Sequence, residues 1–197
     1  MATSPREYRR VMLQLLPQQG KWSEEEYLWL TDRAERPIEV SDGYIDLLPP
    51  PTDSHQGIVF LFARLLSSSL NPGGGVVRFS PLRLRVRDAR YREPDILALV
   101  DGGDPRREDR YWHGADWIME VVSPDKPERD LIEKRQEYAE AGIPEYWIVY
   151  PLDETITVLT LDGQTYAEHS SFVLGQRATS VLLPDFAVSV DDVFTTS

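Results

Sequence analysis

The run Trp117-Ile118-Met119-Glu120-Val121-Val122, a helical stretch reaching Ala141, and the run Tyr146-Trp147-Ile148-Val149-Tyr150 together decide the fold. The first run, like Asp95 to Val100 upstream, is nearly continuous in apolar residues, which reads as a strand buried on both faces, and the last run is a further apolar strand. The helix between them, over about 127–141, is closed by Gly142 with Pro144 just beyond, a common stop signal. Strand, helix and strand in this order point to a mixed β-sheet flanked by helices, an α/β or α+β chain. One residue resists that reading. Glu120 interrupts its run between Met119 and Val121, and acidic side chains are rarely buried unless paired or bound to a metal.

Working outward, Asp95 follows Pro94 and opens a further strand, Ile96-Leu97-Ala98-Leu99-Val100. The segment Leu82 to Val86 alternates, with Leu82, Leu84 and Val86 on one face and Arg83 and Arg85 on the other. Arg83, Arg85 and Arg87 then read as a solvated ladder. Ser23 before Glu24, Glu25 and Glu26 predicts a capped helix running to about Ala34. Ile38-Glu39-Val40 and Tyr44-Ile45-Asp46-Leu47 form a hairpin turning at Asp42-Gly43. Asp53 or Ser54 caps a second helix carrying Ile58, Leu61, Phe62, Leu65 and Leu66, which ends near Asn71-Pro72-Gly73. Thr155 to Leu161 is another strand, and the tail repeats short strand signals as far as Phe194. Trp112, Trp117 and Trp147 belong to the core or an interface.

At 197 residues the chain is expected to form one domain, 1–197, large enough to bury its own core. It has no cysteine, which excludes disulfides, thiolate zinc sites and a cysteine nucleophile. His55, His113 and His169 lack metal-ligand spacing. Met1–Arg10 is polar, and no stretch is apolar enough to span a bilayer, so a cytoplasmic protein is expected. The formal charge of −12 argues against broad, charge-driven nucleic-acid binding.

Two carboxylates on neighbouring core strands, Asp95 and Glu120, suggest a Mg²⁺ or Mn²⁺ site, since Mg²⁺ needs only one or two carboxylates beside its waters. Lys134 shares a helix face with Leu131, Tyr138 and Ala141 and is expected to point inward; Glu133, Glu137 and Glu140 fall largely off that face, and Gln136 reads as surface. Each residue alone has a plain structural reading. Asp95 could be a turn residue, Glu120 half of a buried ion pair with an arginine, and Lys134 a solvated helix lysine. Glu39 is either a third carboxylate near the metal or the polar face of its strand, and His55 either caps a helix or touches substrate.

These residues also carry a resemblance. Glu93-Pro94-Asp95, Ile118 to Pro124, Asp130, Lys134, Tyr138 and Ala141 to Val149 resemble the Uma-two family. So do Trp22 to Tyr27, Glu39, Asp42-Gly43, His55 and Leu183-Pro184-Asp185-Phe186. The family consists of bacterial restriction-type endonucleases of the PD-(D/E)xK superfamily. The resemblance implies a restriction-endonuclease-like fold, with Asp95 and Glu120 as metal-binding carboxylates joined by the Val121 carbonyl. The superfamily usually carries its lysine two residues after the second carboxylate, where this chain has Val122. The family pattern moves that lysine to the helix, at Lys134. The implied activity is metal-dependent cleavage of DNA, with a homodimer expected as for restriction-type nucleases. The competing class is a nucleic-acid- or protein-binding module that keeps the fold without the chemistry.

Overall fold

A computed structural model describes residues 16–195, so Met1–Arg10 lies outside the described residues. Helix α1 (Glu24–Thr31) starts as its sequence dictates. The Glu26 N–H donates to Ser23 Oγ (3.2 Å), and the Glu26 carboxylate accepts from the Ser23 N–H (2.9 Å). The helix stops at Thr31, short of Ala34. Strands β1 (Ile38–Ser41) and β2 (Tyr44–Leu47) form the expected hairpin. Its turn places Asp42 (φ 52°) and Gly43 (φ 80°) in the left-handed region, which is why an Asp-Gly pair sits there. Helix α2 (Asp53–Leu70) is capped by Thr52, not by Asp53 or Ser54. Thr52 itself is extended (φ −80°, ψ 169°), and its hydroxyl accepts from the His55 N–H (3.2 Å). His55 is thereby fixed in the first turn.

The remaining strands are β3 (Val76–Phe79), β4 (Arg83–Arg87), β5 (Arg90–Arg92), β6 (Ile96–Leu99), β7 (Tyr111–Trp112) and β8 (Trp117–Val121). Helix α3 (Lys134–Glu140) is followed by β9 (Glu145–Tyr150), β10 (Thr155–Asp162), β11 (Thr165–Phe172), β12 (Arg177–Thr179) and β13 (Ala187–Ser189). The chain then forms α4 (Val190–Thr195), so Phe194 lies in a helix and not at the end of a strand. The largest sheet has the order β11-β10-β9-β8-β6-β3, and within it only β8 and β9 run parallel. A second sheet, β2-β1-β5-β4-β7, and a β12-β13 pair complete the α+β architecture. Strand signals are local, and they did not show that β4 and β5 would leave the main sheet for the hairpin's.

Strand β8 is covered on both sides, as its apolar run required. Trp117, Met119 and Val121 pack with Ile58, Phe62 and Leu66 of α2, while Ile118 and Val122 pack with Tyr138 and Tyr146. Glu120 shares the parity of Ile118 and therefore faces α3. Trp112, Trp117 and Trp147 are all core residues. The arginine ladder on β4 is ion-paired at the surface: Arg83 holds Asp32 (2.9 Å), Arg85 holds Asp88 (2.8 Å) and the exposed Arg87 holds Asp42 (2.8 Å). No helix among the described residues is long and apolar enough to cross a membrane.

A different buried carboxylate staples the C-terminal segment to the main sheet. Glu145, at the start of β9, accepts from Trp117 Nε1 (3.0 Å), Trp147 Nε1 (2.6 Å), Ser180 Oγ (2.6 Å), and the N–H groups of Val181 (2.8 Å) and Leu182 (2.7 Å). The donors come from two strands and the 180–182 loop, and none is charged.

Candidate active site

The end of β8, the residue before β6, the first turn of α2 and the start of α3 meet at one place. Glu120 is buried at 2% exposure, and Lys134 at 4%. Lys134 Nζ lies 2.8 Å from Glu120 Oε1 and 3.0 Å from Asp130 Oδ1, with Glu39 Oε1 at 3.8 Å. Tyr138, one turn further along α3, donates its hydroxyl to the same Glu120 Oε1 (2.5 Å). Asp95 Oδ2 accepts from the Val121 N–H (2.8 Å) and sits 3.2 Å from His55 Nε2. Lysine and two acids thus come from separate elements to one point, and Lys134 does not reach bulk solvent.

The turn leading into α3 explains how the lysine gets there. Residues Arg129–Glu133 form a π-helical turn, with the Lys134 N–H bonded to the Arg129 carbonyl. Such wide turns occur mostly as single insertions in helices and are frequent at functional sites. The helix expected over about 127–141 is thus present, helical without a break from 127 to 140 with the π turn inside it, and Asp130 and Lys134 pair along it at i,i+4.

Glu39 is fully buried and enclosed by cations. Arg92 Nη1 lies 2.8 Å from its Oε2, Arg129 bonds the same oxygen, and the Glu93 N–H donates to Oε1 (3.1 Å). Burial alone would raise its pKa, but Lys134, Arg92 and Arg129 outweigh that and hold it at about 2. Glu39 is thus neither a solvated strand face nor an open ligand; it anchors the arginines and helps position Lys134. Glu137 departs from expectation. It is buried and pairs with Arg90 (2.6 Å) and Arg92 (2.6 Å), because β5 passes directly over that side of α3. Gln136 is exposed, bonded to Glu140 (2.8 Å), as a surface residue should be.

Charge does not balance evenly at this point. Burial would strip the proton from Lys134, but Asp130, Glu120 and Glu39 raise its pKa and keep it an ammonium. Glu39 is also met by Arg92 and Arg129, which leaves one lysine between Asp130 and Glu120. Glu120 is the surplus acid: burial, with Asp95 and Asp130 nearby, raises its pKa against the pull of Lys134. Glu93, also buried and close to Glu39, is pushed up to about 8. Burial lowers the His55 pKa, but Asp95 more than reverses this. Above about pH 4.5 the unfolded chain has released the two glutamyl protons while the folded protein still holds them. Stability should therefore fall as pH rises from about 5 to about 8, and the raised His55 pKa adds to that fall. Calorimetric melts across this range check it, with Glu93→Gln expected to flatten the decline. Glu39 acts in a different window, its stabilisation being lost only as pH falls towards 2.

The donor set has oxygens to spare. Both contacts on Glu120 fall on Oε1, and both on Asp95 fall on Oδ2. Among the described residues no three acidic or histidine side chains converge as a ready-made cage. Two carboxylates, one of them short of positive charge, suit a hard cation that keeps most of its waters. Sequence reading passed over Asp130, Arg92, Arg129 and Tyr138 as site residues. Asp130 and Tyr138 carried a local signal, standing four residues before and four after Lys134.

The Uma2 family, described as "Putative restriction endonuclease", matches residues 24–191. The chain belongs to this family. The Uma2 match spans every residue of the cluster, from Glu39 to Tyr138. Among solved structures, a putative nuclease belonging to DUF820 from Anabaena variabilis ATCC 29413 superposes with a TM-score of 0.70. It is 19% identical, and the match covers 91% of this chain and 99% of that one, which establishes a shared fold. No curated protein matches the chain.

Proposed function

We propose that this protein is a Mg²⁺- or Mn²⁺-dependent DNA endonuclease, acting as one restriction-endonuclease-like domain in the cytoplasm. The observation that carries the reading is Lys134, a buried ammonium brought by a π-helical turn to within 2.8 Å of Glu120 beside Asp95. Asp95, Glu120 and the Val121 carbonyl would hold the cation, which when bound supplies a polarised phosphoryl oxygen and an acidified water.

The chain's own groups do the rest. Lys134 keeps its proton at neutral pH, so it serves as a fixed positive charge for the phosphate oxygens and not as a base. Asp130 and Glu39 hold it in place from two sides. Tyr138 and Lys134 both hold Oε1 of Glu120, which leaves Oε2 for the cation. His55, anchored in the first turn of α2, fixes Asp95 in the same way through Oδ2. Val122, where the superfamily usually has its lysine, is 2% exposed and packs in the core with Tyr138. An ammonium on α3 approaches Glu120 from that same side.

Incubation of supercoiled plasmid with the protein tests the proposal. Nicking should require Mg²⁺ or Mn²⁺, stop with chelator, and fall at least about a hundredfold in Asp95→Asn. Metal-independent nicking, or an active Asp95→Asn, refutes it. Cutting both strands of a duplex needs two sites, and we propose a homodimer. Light scattering at micromolar concentration checks this; a monomer mass counts against it.

A further inference from the structure

The wide turn ahead of α3 offsets the backbone ladder of its helix by one residue. In an α-helix the Lys134 N–H would bond the Asp130 carbonyl, four residues back; here it bonds the carbonyl of Arg129. The Asp130 carbonyl thereby loses the Lys134 N–H, and a buried carbonyl left unpaired is costly. Tyr146 supplies the replacement, its hydroxyl donating to that carbonyl (3.0 Å). Tyr146 belongs to β9, lies opposite Ile118 of β8 and is fully buried on the face of the sheet that carries Glu120. Its ring stands edge-on to that of Tyr138, with centroids 5.2 Å apart, and lies 5.9 Å from that of Tyr166. A side chain fixed on a central strand thus holds the backbone of residue 130, whose carboxylate in turn holds Lys134 Nζ (3.0 Å).

We propose that Tyr146 is a positioning residue for Lys134, its hydroxyl holding the π-helical turn in the form that aims the ammonium at Glu120. The catalytic part of this role rests on the nuclease reading above; the hold on the lysine does not. Without the hydroxyl, the Asp130 carbonyl is buried with no partner, and the nearest donor that can satisfy it is the Lys134 N–H. Returning that N–H to Asp130 turns the wide turn into an ordinary α turn. A ladder shifted by one residue rotates Lys134 by roughly 100° against the residues before it, which carries the ammonium off Glu120. Tyr166 is the matched comparison. It is buried in the same aromatic group and also donates its hydroxyl to a carbonyl, that of Ile143 (2.7 Å), beyond the end of α3.

Tyr146→Phe and Tyr166→Phe, each in the full chain, separate positioning from packing. Each variant loses one buried hydrogen bond, so the two should melt lower than wild type by similar amounts. The chain has three lysines, Lys21, Lys126 and Lys134, and reductive methylation read by mass spectrometry reports on each. In wild type the exposed Lys21 and Lys126 should be methylated and the buried Lys134 spared. Well below the melting temperatures, Tyr146→Phe should let Lys134 react, whereas Tyr166→Phe should leave it protected. In metal-dependent plasmid nicking, Tyr146→Phe should lower kcat by about ten- to a hundredfold with KM for DNA little changed, because a small displacement of a group at the reacting centre costs rate. Tyr166→Phe should keep the wild-type rate. Lys134 still protected in Tyr146→Phe, the same response from both variants, or full kcat in Tyr146→Phe overturns the proposal, and with wild-type nicking intact leaves the nuclease reading standing. If wild type does not nick, that reading falls instead, and methylation alone decides whether Tyr146 holds the lysine.

Discussion

Glu120→Gln should lower metal-dependent cleavage by about a thousandfold or more while melting no lower than wild type. The two halves of this expectation come from the same charge imbalance. Lys134 is shared among Asp130, Glu120 and Glu39, and burial beside Asp95 and Asp130 leaves Glu120 the member whose ionisation is opposed. A neutral amide keeps an oxygen for Tyr138 and Lys134 and removes the repulsion. Mg²⁺ should raise the melting temperature of wild type more than that of the variant, because a ligand stabilises only a protein that binds it. If Glu120 were instead half of a structural ion pair, its loss would strand Lys134 and cost about 3–5 kcal/mol. Parallel melts with and without Mg²⁺ separate these cases. A large drop in both conditions, with no Mg²⁺ effect on wild type, removes Glu120 from the site.

Glu145→Ala should have the opposite profile, a large loss of stability from a residue remote from the chemistry. Two indole N–H groups, two backbone N–H groups and the Ser180 hydroxyl converge on its carboxylate. Each buried donor left unsatisfied costs about 1–3 kcal/mol, although water entering the vacated space recovers part of it. A net loss of about 3–5 kcal/mol is expected, which for a chain of this size lowers the melting temperature by roughly 6–20 °C. Glu145→Gln should lie between, since its amide keeps one acceptor but turns an N–H towards other donors. A melting temperature within about 2 °C of wild type for the alanine variant would show that the staple contributes nothing.

These residues show where the sequence was informative. The Ser23 capping box, the Asp42-Gly43 turn and the Gly142 stop are local devices, and each stands where its residue types require. The placement of Glu120, Asp95 and Lys134 was also legible, because a carboxylate in an apolar strand and a lysine on an apolar stripe are anomalies visible without a fold. The same anomaly stood at Glu145, an acid opening an apolar run, and was not used. Other features depend on partners distant in sequence. Nothing within a few residues of Glu137 shows that Arg90 and Arg92 will cover it. Thr52, Asp53 and Ser54 are three adjacent residues of capping type, and only the extended backbone at Thr52 selects among them. The π-helical turn likewise has no periodic signature in the sequence.

The single parallel pair in the main sheet has a consequence for the order of assembly. Strands β8 and β9 are joined through the π-helical turn and α3, so Glu120, Asp130, Lys134 and Tyr138 all lie within one contiguous supersecondary unit. Contacts close in sequence form fastest, since they close short loops. Half of the cluster can therefore gather before the rest of the chain arrives, while Asp95 and His55 wait for β6 and α2 to dock. Local opening should run in reverse, with the α2 first turn releasing Asp95 while the lysine still faces Glu120. Hydrogen exchange should find the amides of β8 and β9 protected longest, and those around His55 among the first of the site to exchange.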